Sequence, residues 1–140
     1  METQALQPQK FRELVLQVLF SHDVHASDAQ ELCTLLSLEL KVTKRHVKDA
    51  LAKVEAIKNS LPEIDAVIHE YSTSYAIDRI QSVERAILRL ALYELLFEKA
   101  VPHQIIISEA KRLAKKFATP DAAVFCQALL DGVYKAKCSS

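Results

Sequence analysis

Apolar residues recur at helical spacing along most of the chain, and the clearest stretch runs from Gln81 to Leu95. Apolar side chains there stand at positions 83, 86, 87, 90 and 91, which is the spacing of one helix face. Leucines at 88, 92, 95 and 96 add a second apolar face. The stripe left for water is narrow and consists of Glu84, Arg85, Arg89 and Glu94. Because a helix this apolar must be covered by other helices or by a partner, we predict an all-α fold, a compact bundle with a central helix near 79–99.

Similar periodicity predicts about seven helices in all. The other six are expected to span about 10–24, 27–40, 43–57, 60–71, 102–117 and 119–133. Their starts carry capping signals, which are Ser27 with Gln30, Thr43, Ser60 with Pro62 and Glu63, and Thr119 with Pro120. No linker interrupts the pattern, so a single helical domain over residues 1–140 is expected.

Composition narrows the function classes. The chain has one glycine, Gly132, and a net charge of zero. Glycine poverty favours helices with short connections and excludes a glycine-rich phosphate loop. Because nucleic-acid binders are usually basic, any such role must come from a local patch. No membrane span is expected, and the polar segment Met1–Lys10 has no signal core, which favours a cytoplasmic protein.

No catalytic or metal-binding group is apparent. His22, Asp23 and His25 lie close together, but nothing nearby completes a zinc site. The three cysteines, at 33, 126 and 138, are far apart and are expected to be reduced thiols. Serine–glutamate pairs lack the glycines of a nucleophile elbow. We therefore expect no enzyme, cofactor or metal.

Positive charge concentrates at the end of the helix predicted over 102–117. The cluster, called the basic cluster below, consists of Lys111, Arg112, Lys115 and Lys116. These side chains could bind phosphates, or they could only complement the negative end of the helix dipole. Phe117 and Phe125 follow, either as stacking platforms for unpaired bases or as core residues. Asp121 between them could accept hydrogen bonds from base edges or serve the helix end alone.

At this point the residues resemble a known family. The run Val83–Leu95 closely resembles the signature helix of the NusB family of transcription antitermination factors. The segments Val101–Phe117, Phe125–Asp131 and Arg12–Phe20 are also similar to the family's pattern.

The resemblance implies an all-helical, non-enzymatic protein that pairs with NusE, the small-subunit ribosomal protein that doubles as an elongation factor. The pair would bind single-stranded boxA RNA of nascent ribosomal RNA and help the RNA polymerase elongation complex resist termination. Matched position by position, the RNA-binding residues would be Lys10, Arg12, Phe20, Phe117, Asp121 and Phe125. The partner-binding residues would be Glu84, at a position implicated in the NusE contact, and its neighbour Arg85.

Departures from the family pattern carry their own expectations. The segment Leu6–Arg12 is poor in arginine, so RNA affinity should be lower and its salt dependence shallower. Phe20 replaces a tyrosine, and Ala118 replaces a glycine, which predicts strain if that helix end is left-handed.

The alternative function is a protein-only module that has lost RNA binding. An accessory domain of a ribosomal RNA methyltransferase is a third possibility, for which 140 residues leave no room for a catalytic domain. A homodimer is also possible.

Overall fold

The computed structural model describes residues 6–24, 42–72 and 80–138, and every regular element within these ranges is helical. The helices are α1 (Pro8–Val24), α2 (Lys44–Asn59), α3 (Leu61–Tyr71), α4 (Ser82–Tyr93), α5 (His103–Phe117) and α6 (Pro120–Val133). Two of them continue as one π-helical turn, α4 through Glu94–Glu98 and α6 through Tyr134–Cys138. The all-α prediction is confirmed. The helix predicted over 27–40 lies outside the described residues.

The chain divides into two compact units, Met1–Ala56 and Ile57–Ser140. In the first unit, the buried residues of α1 and α2 recur at helical spacing. They are Leu14, Val15, Leu16, Val18, Leu19, Val47, Ala50 and Val54. Lys53 of α2 places its ammonium group 5.7 Å from the centroid of the Phe11 ring of α1. The single domain expected over residues 1–140 stays a prediction.

The second unit is built around α4, which contacts α3, α5 and α6. Six of its twelve residues are buried, namely Ala86, Ile87, Leu88, Leu90, Ala91 and Leu92. Arg89 joins α4 to α3 by donating from Nε and Nη2 to the two carboxylate oxygens of Asp65, at 3.0 and 2.9 Å. The prediction of an enclosed central helix is therefore confirmed. The helix begins at Ser82, three residues later than expected, with Ile80 and Gln81 outside it.

Glu94 corrects the predicted water-facing stripe, because it is only 4% exposed. At 3.6 residues per turn, Glu94 lies about 180° around the helix from Arg85. It therefore belongs to the enclosed side, and the π-helical turn begins there.

Three of the predicted caps lie within the described residues, and those at Thr43 and Thr119 are confirmed. The amide of His46 donates to Thr43 Oγ1 at 3.2 Å, and the amide of Ala122 donates to Thr119 Oγ1 at 3.0 Å. At Ser60 the predicted helix start and its early Pro62 are confirmed, but the predicted cap is wrong, since the Ser60 side chain makes no capping hydrogen bond. Ser60 follows α2 directly and has φ −106° and ψ 5°, not the extended backbone that an N-cap needs.

The strain predicted at Ala118 applied only to a left-handed helix end, and α5 does not end that way. Ala118 has φ −130° and ψ −113°, and its amide still donates to the carbonyl of Ala114 at 2.9 Å. Within the described ranges, the non-glycine residue with positive φ is Lys99, at 53°, which ends the π-helical turn after α4. None of the helices described is long and apolar enough to cross a membrane.

Candidate nucleic-acid interface

A pocket of about 190 Å³ lies where the N-terminal ends of α4 and α6 meet. Its walls are formed by Ile80, Gln81, Glu84, Thr119, Asp121, Ala122 and Phe125. The two sides are fixed by helix starts, because Gln81 is the N-cap residue of α4 and Thr119 caps α6 with its hydroxyl. The pocket is therefore formed by two helix starts that lie about forty residues apart in the sequence.

The pocket brings together three residues that the sequence assigned to different roles. Glu84 was expected to bind a partner, whereas Asp121 and Phe125 were expected to bind RNA. All three line the same pocket, with Asp121 exposed and the other two half-buried. Burial raises the pKa of the Glu84 carboxyl above its ordinary value. The sequence had not indicated Ile80, Gln81 or Ala122, and it had given Thr119 only as a cap.

The chemistry of this pocket suits a hydrogen-bond donor better than a phosphate. Two carboxylates line it and no lysine or arginine does. Carboxylates accept hydrogen bonds from amino groups, and the Phe125 ring offers a face on which a planar group can stack. A nucleobase edge that carries an amino group matches this surface, whereas a phosphate would be repelled.

Cys126, next to Phe125, is completely buried. Burial, and then the charge of Glu84, raise the pKa of its thiol to about 12. Because the thiolate is the reactive form, Cys126 is chemically quiet in the folded protein. No group of histidines, cysteines and acids that could hold a metal occurs among the residues that the structure describes.

The basic cluster lies on the second half of α5. Lys115 and Lys116 are exposed, whereas Lys111 and Arg112 are half-buried. Arg112 donates from Nε and Nη2 to the two carboxylate oxygens of Glu109, at 2.8 and 3.1 Å. Its charge is thus already compensated within the helix. Since Glu109 precedes it by three residues, the spacing alone could have revealed the pair.

Phe117 sits at the end of this cluster and is half-buried. The ammonium group of Lys116 lies 5.5 Å from the centroid of its ring. Phe117 does not line the pocket that contains Phe125. The two phenylalanines that the sequence treated as equivalent platforms therefore have different surroundings.

The three predicted residues of α1 differ in accessibility. Lys10 is exposed, Phe20 is 37% exposed and Arg12 is only 6% exposed. Arg12 shares a helix face with the buried residues 15, 16 and 19, which explains its burial. Of the two cations, Lys10 and Arg12, only Lys10 is therefore accessible.

Arg85 was expected to contact a partner, and its guanidinium is engaged inside the second unit. Nη1 donates to the carbonyl oxygen of Ile80 at 3.2 Å, and Nη2 donates to Oγ of Ser82 at 3.4 Å. Ser82 is the first residue of α4, and Ile80 lies two residues before it. Arg85 itself does not line the pocket.

Comparison with known proteins agrees with this architecture. The NusB family model matches residues 9–135. The chain belongs to the NusB family. The transcription antitermination protein NusB of Chlamydia pneumoniae is 34% identical over 126 residues, which cover 90% of this chain and 79% of that protein. Among solved structures, T. maritima NusB superimposes with a TM-score of 0.78 at 34% identity, covering 96% of this chain and 93% of that one.

A second solved structure comes from a complex of antitermination factors NusB and NusE with dsRNA. Its matching chain has a TM-score of 0.78 at 29% identity, and the match covers 91% of this chain and 96% of that chain. The NusB fold expected from the signature helix is thereby confirmed along nearly the whole chain.

Proposed function

We propose that this NusB-family protein acts in transcription antitermination. Together with NusE, it binds boxA-type single-stranded RNA in nascent ribosomal RNA and supports processive elongation by RNA polymerase in the cytoplasm. The observation that carries the proposal is the pocket in which Glu84, Asp121 and Phe125 converge. Its relatives are named for antitermination, and a chain of the same fold occurs in a complex with NusE and RNA.

The described surfaces suggest how the RNA contacts are divided. A base stacks on Phe125 and presents its amino edge to Asp121, while the exposed Lys115 and Lys116 neutralise phosphates. Lys10 and Phe20 of α1 supply further contacts from the first unit. The role is one of binding, with no covalent chemistry and no cofactor.

Fluorescence anisotropy with labelled boxA RNA, with and without NusE, tests the proposal. Phe125→Ala should weaken RNA binding by about 1–3 kcal/mol, because a stacked base is lost, while Phe125→Tyr should retain most of the affinity. Phe97→Ala is the matched control, since Phe97 is 45% exposed but does not line the pocket. A double-stranded probe and a scrambled single strand establish the preferred form of RNA. Absence of binding at low salt under every condition would exclude the RNA role.

A protein-only module that binds NusE is the second candidate. It is favoured by the compensated charge of Arg112 and the burial of Arg12, which leave fewer cations for phosphate. Capture of NusE by the purified protein, combined with flat RNA titrations of the complex, would select this alternative. A Glu84→Ala variant that loses NusE but keeps its fold would locate the contact at the pocket.

A further inference from the structure

The guanidinium of Arg85 reaches backwards from α4 to residues at and before its start. It donates to the carbonyl oxygen of Ile80 and to the hydroxyl of Ser82, at 3.2 and 3.4 Å. This direction is natural for a long side chain on a helix, because Cα–Cβ bonds tilt toward the N-terminus. The side chain thereby ties α4 to Ile80 and Gln81, the two residues called the lead-in segment below.

The lead-in segment forms one wall of the pocket. Ile80 is 3% exposed. Ile80 and Gln81 both line the cavity, together with Phe125 and Asp121. Gln81 makes no side-chain capping hydrogen bond, so the N-terminus of α4 is not fixed in the usual way. Instead, Arg85 binds both carbonyls of the segment, since its amide donates to Gln81 at 2.9 Å while its side chain donates to Ile80.

A cation in this part of a helix has an electrostatic disadvantage. The N-terminal end of α4 carries partial positive charge, which disfavours a guanidinium nearby. The carbonyl of Ile80 precedes the helix, so a donor outside the regular ladder must satisfy it. The hydrogen bond from the Arg85 guanidinium to the Ile80 carbonyl therefore offsets the unfavourable position of the charge near the helix N-terminus.

We propose that Arg85 is a positioning residue of the RNA site. It fixes the backbone of the lead-in segment, and so sets the distance between Gln81 and the opposite wall that carries Phe125. It acts on RNA affinity through Ile80 and Gln81 and not by touching RNA or NusE. This inference rests on the proposed RNA binding at the pocket.

The test compares Arg85→Ala and Arg85→Lys with Arg89→Ala in the full-length chain. Arg89 is the matched control, because it lies one turn later on α4 and pairs with Asp65, away from the pocket lining. Four quantities are measured for each variant: the free energy of unfolding, the affinity for NusE, the affinity for boxA RNA with and without NusE, and the amide chemical shifts of Gln81 and Ala122.

Arg85→Ala should weaken RNA binding by up to roughly tenfold, because the freed lead-in segment must then be ordered when RNA binds, and should shift the Gln81 amide. Arg85→Lys should recover part of the affinity, since an ammonium group can still donate to Ile80. Arg89→Ala should lower stability while RNA affinity stays within about twofold of wild type. If Arg85→Ala does not fold, the intermediate affinity and Gln81 shift of Arg85→Lys carry the test.

Three results would overturn the assignment. The first is an unchanged RNA affinity together with an unchanged Gln81 shift in Arg85→Ala. The second is a fall in NusE affinity alone in Arg85→Ala. The third is a loss of RNA affinity in Arg89→Ala as large as that in Arg85→Ala. If the wild-type protein binds no RNA under any condition, the proposed function fails separately. The amide shifts then decide whether Arg85 positions the pocket wall.

Discussion

Replacing Lys115 by glutamine should make RNA binding less sensitive to salt, whereas replacing Arg112 should leave the salt dependence almost unchanged. The two side chains belong to the same basic cluster. Lys115 is exposed, but the guanidinium of Arg112 is held by both carboxylate oxygens of Glu109 at 2.8 and 3.1 Å. A cation that is already paired releases few additional counterions when RNA arrives.

The geometry gives the magnitude. Each phosphate contact with a single strand contributes about 0.7 to the slope of log affinity against log salt. With Arg112 set aside, the cluster offers Lys111, Lys115 and Lys116, which together contribute a slope of about 2. Lys115→Gln should remove about 0.7 of this, or roughly fivefold in affinity at 0.1 M salt. Arg112→Gln should change the slope by less than about 0.2.

The Arg112 variant should instead lose stability. Glu109 is only 6% exposed, and the substitution removes two charge-assisted hydrogen bonds from its carboxylate. The expected loss is about 1–2 kcal/mol in the free energy of unfolding. Lys115→Gln should leave that free energy nearly unchanged, because exposed charges contribute little.

Anisotropy titrations between about 50 and 200 mM salt measure the slopes, and urea unfolding measures the stabilities. Lys135→Gln is the control for charge alone, since Lys135 is exposed on the C-terminal π-helical turn. If Arg112→Gln flattens the salt dependence as much as Lys115→Gln does, the pair with Glu109 must open on RNA binding. That result would refute the inference that a paired arginine contributes little to the salt dependence.

Three further predictions concern stability. Lys99→Gly should raise the free energy of unfolding by about 0.5–1 kcal/mol in thermal melts, because φ at Lys99 is 53°; Lys99→Ala, which keeps Cβ, should give no such gain. Glu84→Gln should stabilise the protein at neutral pH. The reason is that the pKa of Glu84 is raised in the folded state. The stability of the wild type relative to this variant is therefore greatest below about pH 4.5 and is lost as the pH rises through the raised pKa. Urea unfolding of both proteins at several pH values measures this difference. Gly132→Ala should add about 0.5–1 kcal/mol, since its Cβ would meet Tyr71 Cδ1 at an ordinary 3.6 Å; a lower melting temperature would contradict this.

The parts of the fold that the sequence predicted correctly depend on local signals. The apolar spacing of α4 follows from helix geometry alone, so its enclosure could be inferred without knowing its neighbours. Thr43 and Thr119 form their caps because each bond spans three residues and needs only an extended backbone at the threonine. The family resemblance then supplied the arrangement that periodicity cannot give.

The wrong cap at Ser60 arises where a neighbouring element changes the local conformation. Ser60 has the residues of a capping box, but it also closes the last turn of α2, with its amide bonded to Ile57 at 3.0 Å. The water-facing prediction for Glu94 is wrong for a different reason, because helix geometry alone puts Glu94 opposite Arg85.

The pocket could be predicted only in part. Asp121 and Phe125 share one helix and stand one turn apart, so their proximity followed from spacing. That Gln81 and Glu84 face them depends on how α4 and α6 pack, and no local pattern encodes that contact. The compensation of Arg112 by Glu109 was within reach of the sequence, because the two residues are three apart on a helix.

The buried thiol of Cys126 provides a built-in chemical probe of the transient opening of α6. An alkylating reagent reaches this sulfur only in molecules whose helix has transiently separated from its neighbours, so the labelling rate reports the free energy of that excursion. Because Cys126 adjoins Phe125, RNA stacked on the Phe125 ring should lower the rate at which Cys126 is alkylated. Occupancy could then be followed in a crude extract by mass spectrometry, with no fluorophore attached to either molecule.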